Sequence, residues 1–252
     1  IKSLGNSARI ASLSPATTEI LFEVGAGGQV VGRTDGCNYP KAAVAIESVG
    51  SLFPPNLEAI IRLKPDVVVM TSGSLELKER LRQLGIYVVV SHSKSLRDIG
   101  NQIRQLGKLT GRERRAEAKA LAFESAISSI ERRRDGMTPK VYWEIWTSPL
   151  MTAGKTSFLH DLVHAAGGQN IFQDQKEAWP KVTAEAVIRR QPDFIFTIDR
   201  KGLLVQRSEW PALLGIPATR IIQIENPDIL HRTTPRLVNG LEWVAEKLRE
   251  ER

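Results

Sequence analysis

The sequence predicts an α/β protein of two Rossmann-like lobes joined by a single long α-helix. Three observations predict it. Short apolar runs alternate with helical segments from Arg9 to Val90, and the same alternation resumes after Pro139. Between them, from Leu96 to Asp135, the strand signal vanishes and Ala, Glu, Lys and Arg dominate. Strand–helix alternation is the pattern of parallel α/β sheets. The expected boundaries are 1–110 for an N-terminal α/β lobe, 111–136 for the connecting helix and 137–252 for a C-terminal α/β lobe.

In the first lobe, Arg9 to Leu13 reads as a strand that ends at Ser14-Pro15. Ala16 to Val24 reads as a helix, with Thr17 or Thr18 as its cap, Glu19 in its first turn, and Gly25, Gly27 and Gly28 as its stop. Val30 to Gly32 starts a second strand. Asn56 caps a helix with Leu57, Ile60 and Ile61 on one face. Lys64-Pro65-Asp66 then leads into the apolar run Val67 to Met70. Leu75 to Leu84 is a helix stopped by Gly85, and Ile86 to Val90 is a strand. Leu96 to Leu109 and Arg112 to Arg134 are helices, the second about 34 Å long at 1.5 Å per residue. In the second lobe, Val141 to Trp146 is a strand stopping at Ser148-Pro149, and Ser157 to Ala166 is a helix. Thr183 to Arg190 is a helix, Phe194 to Ile198 and Ile221 to Ile224 are strands, and Pro235 to Arg249 closes the chain as a helix.

The halves echo one another. The text from Asn56 to Val69 matches the text from Thr183 to Phe196 at one offset of 127 residues: cap, Glu, apolar pair, Arg, Pro-Asp and strand all align. Ser14-Pro15 with Gly27-Gly28 is also echoed, at a different offset, by Ser148-Pro149 with Gly167-Gly168. Two related lobes joined by a helix would hold a ligand in the crevice between them, at the strand ends.

Composition narrows the function. The 252 residues are 42% hydrophobic and 25% charged, which excludes disordered, collagen-like and disulfide-scaffold classes. The net charge is +7, from 35 basic and 28 acidic residues, but acidic residues are interleaved throughout. The basic stretches Arg112 to Arg115 and Arg132 to Arg134 read as solvated helix faces, and no nucleic-acid partner is expected. Cys37 is the only cysteine, so no intramolecular disulfide or multi-thiolate metal site is available. The longest apolar runs are far too short to cross a bilayer. No export signal is read at the start, and Ile1 to Ala8 reads as either a mature N-terminus or a trimmed one.

Catalytic signatures are poor. There is no Gly-x-Ser-x-Gly elbow, no complete phosphate loop and no His-Glu-x-x-His. Ala153 to Ser157 looks like a phosphate loop but lacks the upstream glycine, and reads as a tight turn followed by a helix cap. His160 and His164 share a helical face without a third ligand, and no metal site is expected. Trp143 and Trp146 alternate to opposite faces of one strand, with Trp146 at its end. Trp179, beside Pro180 in a polar loop, is either buried or stacks on a ligand. Trp210 anchors a loop, and Trp243 faces the core.

These residues resemble a family. Ser12 to Phe22, Val31 to Pro40, Asn56-Leu-Glu with Lys64-Pro-Asp, Ala166 to Phe172, Trp179 to Glu185 and Thr234 to Arg236 are similar, in order and spacing, to landmarks of a cluster of ABC-transporter substrate-binding proteins. That cluster captures cobalamin, ferric siderophores and haem. The resemblance spans nearly the whole chain and is nearest to the periplasmic cobalamin binders. It implies the class III periplasmic binding protein fold, no enzymatic activity and no cofactor, the ligand being a corrinoid or an iron chelate. By position, Gly36, Leu52, Met151, Trp179 and Asp228 match that pattern's pocket residues. Trp179 and Asp228 are kept, while Gly36, Leu52 and Met151 stand where the pattern has aromatic residues. Trp146 is then a candidate for the missing wall. Arg232 and Arg236 suit an anionic siderophore or a haem propionate, and His231 and Tyr39 are the available axial ligands for haem.

The resemblance further implies that Glu58 and Glu185, equivalent in the two repeats, dock onto arginines of a transmembrane permease. A carboxylate in a first helical turn is also favoured by the helix dipole alone. The expected protein is monomeric, periplasmic or lipid-anchored on the outer face of the cytoplasmic membrane, and closes little because one rigid helix links its lobes. A cytosolic α/β enzyme is the alternative of another class, and it needs a clustered acid–base pair.

Overall fold

The computed structural model describes residues 1–71, 75–134 and 136–250. By contacts the chain forms two compact units. The first comprises Ile1–Ser93, Arg97–Glu124 and Arg232–Pro235; the second comprises Lys94–Leu96, Ser125–His231 and the chain from Arg236. The long helix thus contributes residues to both.

In the first unit, strands β1 (Ile10–Ser12), β2 (Val30–Arg33), β3 (Val67–Met70) and β4 (Tyr87–Val90) form a parallel sheet in the order β2-β1-β3-β4. Helices α1 (Pro15–Glu23), α2 (Leu57–Arg62) and α3 (Leu75–Gln83) connect them, and α4 (Leu96–Leu109) and α5 (Glu113–Arg132) follow. One core joins Ala11, Leu13, Ile60, Val68, Met70 and Leu81, each nearly or fully buried. Burial on that scale stabilises by about 1.5–3 kcal/mol per large aliphatic side chain.

The start of α1 differs from expectation. Ser14, extended at φ −151°, is the N-cap, and Pro15 takes the first helical position, where its missing N–H is no loss. Thr17 and Thr18 lie inside the helix, fully buried, with their hydroxyls 2.8 Å from Ser12 Oγ. Glu19 is therefore not in the first turn but buried at 4% exposure. Asn56 does cap α2, its Oδ1 accepting from Ala59 N at 3.0 Å.

The helix α5 runs over 20 residues, a little shorter than the sequence suggests, with Ala116, Ala120, Phe123 and Ile130 buried. Its basic ends are exposed but engaged. Arg115 Nε donates to Glu23 O at 2.9 Å, and Arg133 forks onto Glu242 at 2.6 and 2.5 Å.

In the second unit, β5 (Lys140–Thr147), β6 (Leu150–Thr152), β8 (Phe194–Thr197) and β9 (Ile221–Gln223) lie in the order β6-β5-β8-β9, and β7 (Gln169–Asn170) also pairs with β5. Its helices are α6 (Phe158–Ala165), α7 (Ala184–Arg190), α8 (Arg200–Gln206), α9 (Trp210–Leu214), α10 (Pro227–His231) and α11 (Leu237–Glu250). The β5, β7, β8 and β9 pairings are parallel. β5 ends at Ser148-Pro149 as expected, and there the chain turns and folds back as β6, antiparallel to β5.

The repeat is carried into the backbone. Helix α2 and strand β3 start at Leu57 and Val67; α7 and β8 start at Ala184 and Phe194, each displaced by the same 127 residues. Among the described residues, the non-glycine residues with positive φ, Lys64 at 47° and Gln191 at 48°, are equivalent positions just before Pro-Asp. Each aspartate repeats one clasp: Asp66 Oδ2 accepts from Arg9 N, and Asp193 Oδ2 from Lys140 N, both at 2.7 Å. The other proposed echo needs correction. Ser14-Pro15 opens a helix whereas Ser148-Pro149 makes a hairpin turn. The equivalent glycines are Gly25 (φ 83°) and Gly167 (φ 93°), each two residues beyond the end of a helix.

Candidate ligand surfaces

In the second unit, the β5–β6 hairpin gathers three expected residues. Trp146 pairs in register with Met151, and Met151 pairs with Lys181 on the segment 178–182, which runs antiparallel along β6. That segment is held by Thr152 N to Pro180 O at 3.1 Å, Gly154 N to Ala178 O at 2.9 Å and Val182 N to Leu150 O at 3.0 Å. Cross-strand partners share a face, and residues two apart on a strand do too. Trp146, Met151, Lys181 and Trp179 therefore line one face. Trp146 is 56% exposed and Trp179 40%, large values for tryptophan. Trp146 is oriented by its indole N–H, which donates to Ser148 O at 3.0 Å, and Trp179 by edge contact with Phe158, ring centroids 5.8 Å apart. Ala153 to Ser157 is a turn, as expected. Gly154 lies so close to Glu177 O that an added Cβ would sit 1.9 Å from it, and Ser157 caps α6. The glycine thus lets the loop before Trp179 pack against the turn.

Trp143, before the register shift in β5, is buried and stacks on Phe196 with ring centroids 5.0 Å apart. Because the shift falls between Glu144 and Trp146, the simple alternation that would put the two indoles on opposite faces does not hold. Its indole N–H donates to His231 Nε2 at 3.4 Å, which assigns the imidazole proton to Nδ1 and ties the end of α10 to β5. Asp228 stands in the first turn of the same helix. Trp210 is not a loop anchor: it opens α9, fully buried against Tyr142. Trp243 packs edge-on against Phe196.

Burial holds the His231 imidazole below its ordinary value of about 6.5, with the nearby Asp228 carboxylate pulling weakly the other way. A histidine that binds its proton less readily when folded stabilises the fold fully above its unfolded pKa. That contribution is lost as the pH falls through the window below 6.5. Between pH 7 and pH 5, the wild type is expected to lose more unfolding free energy than His231→Gln, which can still accept from the indole. Urea midpoints at the two pH values measure this, and equal losses would reject it.

In the first unit, Gly36 lies in the loop after β2, and Leu52 in the next loop. Asp35 N to Gly50 O at 2.9 Å holds the two loops together. A Cβ at Gly36 would meet only Pro15 Cγ, at 3.5 Å, so a larger side chain fits there and the glycine leaves the loop surface open. Phe53, beside Leu52, is 61% exposed, and Tyr39 is 44% exposed. Phe53 was missed in the sequence; an aromatic residue between Leu52 and two prolines in a polar loop was the available signal.

Arg232 belongs to the first unit. Its Nη1 donates to Glu19 Oε1 at 2.9 Å and Asn38 Oδ1 at 2.7 Å, with Nη2 3.4 Å from Gly36 O. The two ion-paired side chains are 12% and 3% exposed. The guanidinium is thus bound into the fold beneath the Gly36 loop. Cys37 is buried in the same loop, its thiol near the Thr18 and Thr34 hydroxyls, where it packs as a small side chain.

Glu58 and Glu185 are exposed at the second positions of α2 and α7, one on each unit. Hydrogen bonds from its own backbone N–H and from Thr183 hold the Glu185 carboxyl below the usual range. His160 and His164 share α6, and no group of three or more potential metal ligands occurs among the described residues. The second unit also has a groove of about 520 Å³ beside the edge strand β9, floored by Ile222, Ile224 and Trp243. None of the expected ligand residues lines it.

A two-unit α/β chain with aromatic surfaces at its strand ends defines a binding protein of the periplasmic type. The chain belongs to the periplasmic binding protein family, whose family model matches residues 10–220. Among curated relatives, the vitamin B12-binding protein of Salmonella paratyphi A is 32% identical over 95% of this chain and 90% of its own length. Among solved structures, the periplasmic vitamin B12 binding protein BtuF of Vibrio cholerae superposes with a TM-score of 0.83 at 26% identity, covering 97% of this chain and 98% of that one. The periplasmic haem-binding protein RhuT from Roseiflexus sp. RS-1 superposes with a TM-score of 0.77 at 25% identity, covering 97% and 99%. The expected fold class and the family resemblance both hold. No helix among the described residues is long and apolar enough to cross a membrane.

Proposed function

We propose that this protein is the extracytoplasmic solute-binding component of an ABC importer and that it captures a corrinoid. The observation that carries the reading is the row of Trp146, Met151 and Trp179, two half-exposed indoles and a thioether on one face. Such a face suits a large, flat, mostly apolar ring system better than a highly charged chelate. The kinship with vitamin B12-binding proteins supports it. Gly36, Leu52 and Phe53 on the first unit, and Trp146, Met151, Trp179 and Asp228 on the second, are the proposed ligand contacts. Arg232, matched to Glu19, serves by shaping the Gly36 loop, which removes one of the two arginines that favoured an anionic siderophore. Binding requires no covalent step. The protein acts as a monomer, periplasmic or lipid-anchored, and hands its ligand to a membrane permease.

A second reading, a haem binder, rests on Tyr39, a residue 44% exposed whose side chain is of a kind that ligates haem iron. His231 supports it poorly, because its Nε2 already accepts the Trp143 indole N–H. Titration of the purified protein with cyanocobalamin, haemin and a ferric siderophore, followed by tryptophan quenching and calorimetry, decides among them. One-to-one cyanocobalamin binding at micromolar affinity or tighter is expected, and its absence alongside saturable haemin binding would replace this reading with the second.

Glu58 and Glu185 are the proposed permease contacts, one from each unit. In Glu58→Ala/Glu185→Ala, ligand affinity is expected to stay within twofold of wild type while transport in reconstituted vesicles falls at least tenfold. Unchanged transport would assign both carboxylates to the helix dipole alone.

A further inference from the structure

A buried ion pair sits where β5 departs from regular pairing. Glu144 is fully buried, and both carboxylate oxygens are occupied. Oε1 accepts the Thr197 hydroxyl at 2.9 Å, and Oε2 accepts Arg207 Nη1 at 2.7 Å. Thr197 is the register partner of Glu144 on β8, and Arg207 follows the last residue of α8. Thr197 Oγ1 also accepts from Asp199 N at 3.1 Å, and Asp199 caps α8 through Gly202 N at 2.8 Å. One carboxylate therefore ties β5 to β8 and to both ends of α8.

Stability alone accounts poorly for this pair. Arg207 Nε and Nη2, Tyr142 Oη and Trp210 Nε1 are buried beside it with no protein partner among the described residues. A buried pair so incompletely satisfied gains little over apolar residues of the same volume. Its place in the strand is more informative. The β5–β6 ladder shifts register between Glu144 and Trp146. In an unbroken strand, residues 144 and 146 would project to the same side, into the core that Tyr142 and Glu144 occupy. A bulge re-aims the side chain that follows it. Here Glu144 is at 0% exposure and Trp146 at 56%.

We propose that Glu144 and Arg207 are positioning residues: the pair pins β5 on the core side of the bulge and so fixes the outward aim of Trp146. Only the last step, from Trp146 to ligand, rests on the corrinoid reading.

The test uses Glu144→Gln/Arg207→Met, which removes both charges at similar volume, with Thr197→Val as a milder release of the same carboxylate. In protein labelled with 5-fluorotryptophan, the Trp146 resonance is identified by its loss in Trp146→Phe. Without ligand, that resonance is expected to broaden or move in both variants, while those of Trp179 and Trp243 stay in place. Cyanocobalamin affinity is expected to fall about tenfold in the double variant, but less than twofold when the same changes are made in Trp146→Ala. An unmoved Trp146 resonance, or an equal affinity loss with and without Trp146, overturns the proposal. If the double variant does not fold, the resonance in Thr197→Val decides. If wild type does not bind cyanocobalamin, the function reading fails and the ligand-free resonance still decides the positioning role.

Discussion

Glu19→Ala is expected to lower the unfolding free energy by about 3–5 kcal/mol, the range for removing one partner of a buried ion pair. The reasoning rests on how little water reaches the pair: the Glu19 and Arg232 side chains are 3% and 12% exposed. Removing the carboxylate deprives a nearly buried guanidinium of that counter-charge. Glu19→Gln keeps the shape and one acceptor and should lose less. Glu19→Ala/Arg232→Met, which removes both charges of the pair, should recover most of the loss. Guanidinium chloride midpoints at neutral pH measure all three. A change below about 1 kcal/mol in Glu19→Ala would place the pair with exposed salt bridges and return Arg232 to the list of ligand-facing cations.

That pair also shows what a sequence discloses and what it hides. The repeat was legible because its signals are local. A cap, an apolar pair and Pro-Asp lie within one helix-to-strand unit, and the structure reproduces the unit down to Lys64 and Gln191, the matching residues of positive φ. The Ser157 cap is local in the same way. Glu19 looked like a first-turn helix acid because nothing nearby in the sequence announces a partner 213 residues away. Glu144 and Arg207 are separated by 63 residues and escaped for the same reason. The hairpin was hidden by its brevity: Leu150–Thr152 is a three-residue arm whose only marker, Ser148-Pro149, reads equally well as the end of a strand. The exposed face was half legible. Trp146 and Trp179 stood out as aromatic residues at a strand end and in a polar loop, but their shared face needs the pairing of Met151 with both Trp146 and Lys181.

That shared face sets the second large effect. Trp146→Ala/Trp179→Ala is expected to weaken cyanocobalamin binding by a hundredfold or more. Buried aromatic anchors at binding surfaces are worth about 2 kcal/mol or more each, and about 1.4 kcal/mol is tenfold in affinity. The two indoles are held for the task before ligand arrives, Trp146 by its bond to Ser148 O and Trp179 by Phe158, so little ordering cost offsets the contact. The single changes should not cost the same in stability. Trp146, at 56% exposure, contributes little to the fold, whereas Trp179→Ala also gives up its edge contact with Phe158, about 1 kcal/mol. Calorimetric titration and thermal unfolding of the two single variants and the double therefore separate recognition from packing. Loss of affinity with a nearly unchanged melting temperature in Trp146→Ala marks a ligand contact. Affinity within threefold of wild type in the double variant would show that the aromatic face of the second unit is not where the ring system binds, and would shift the search to Phe53 and the Gly36 loop of the first.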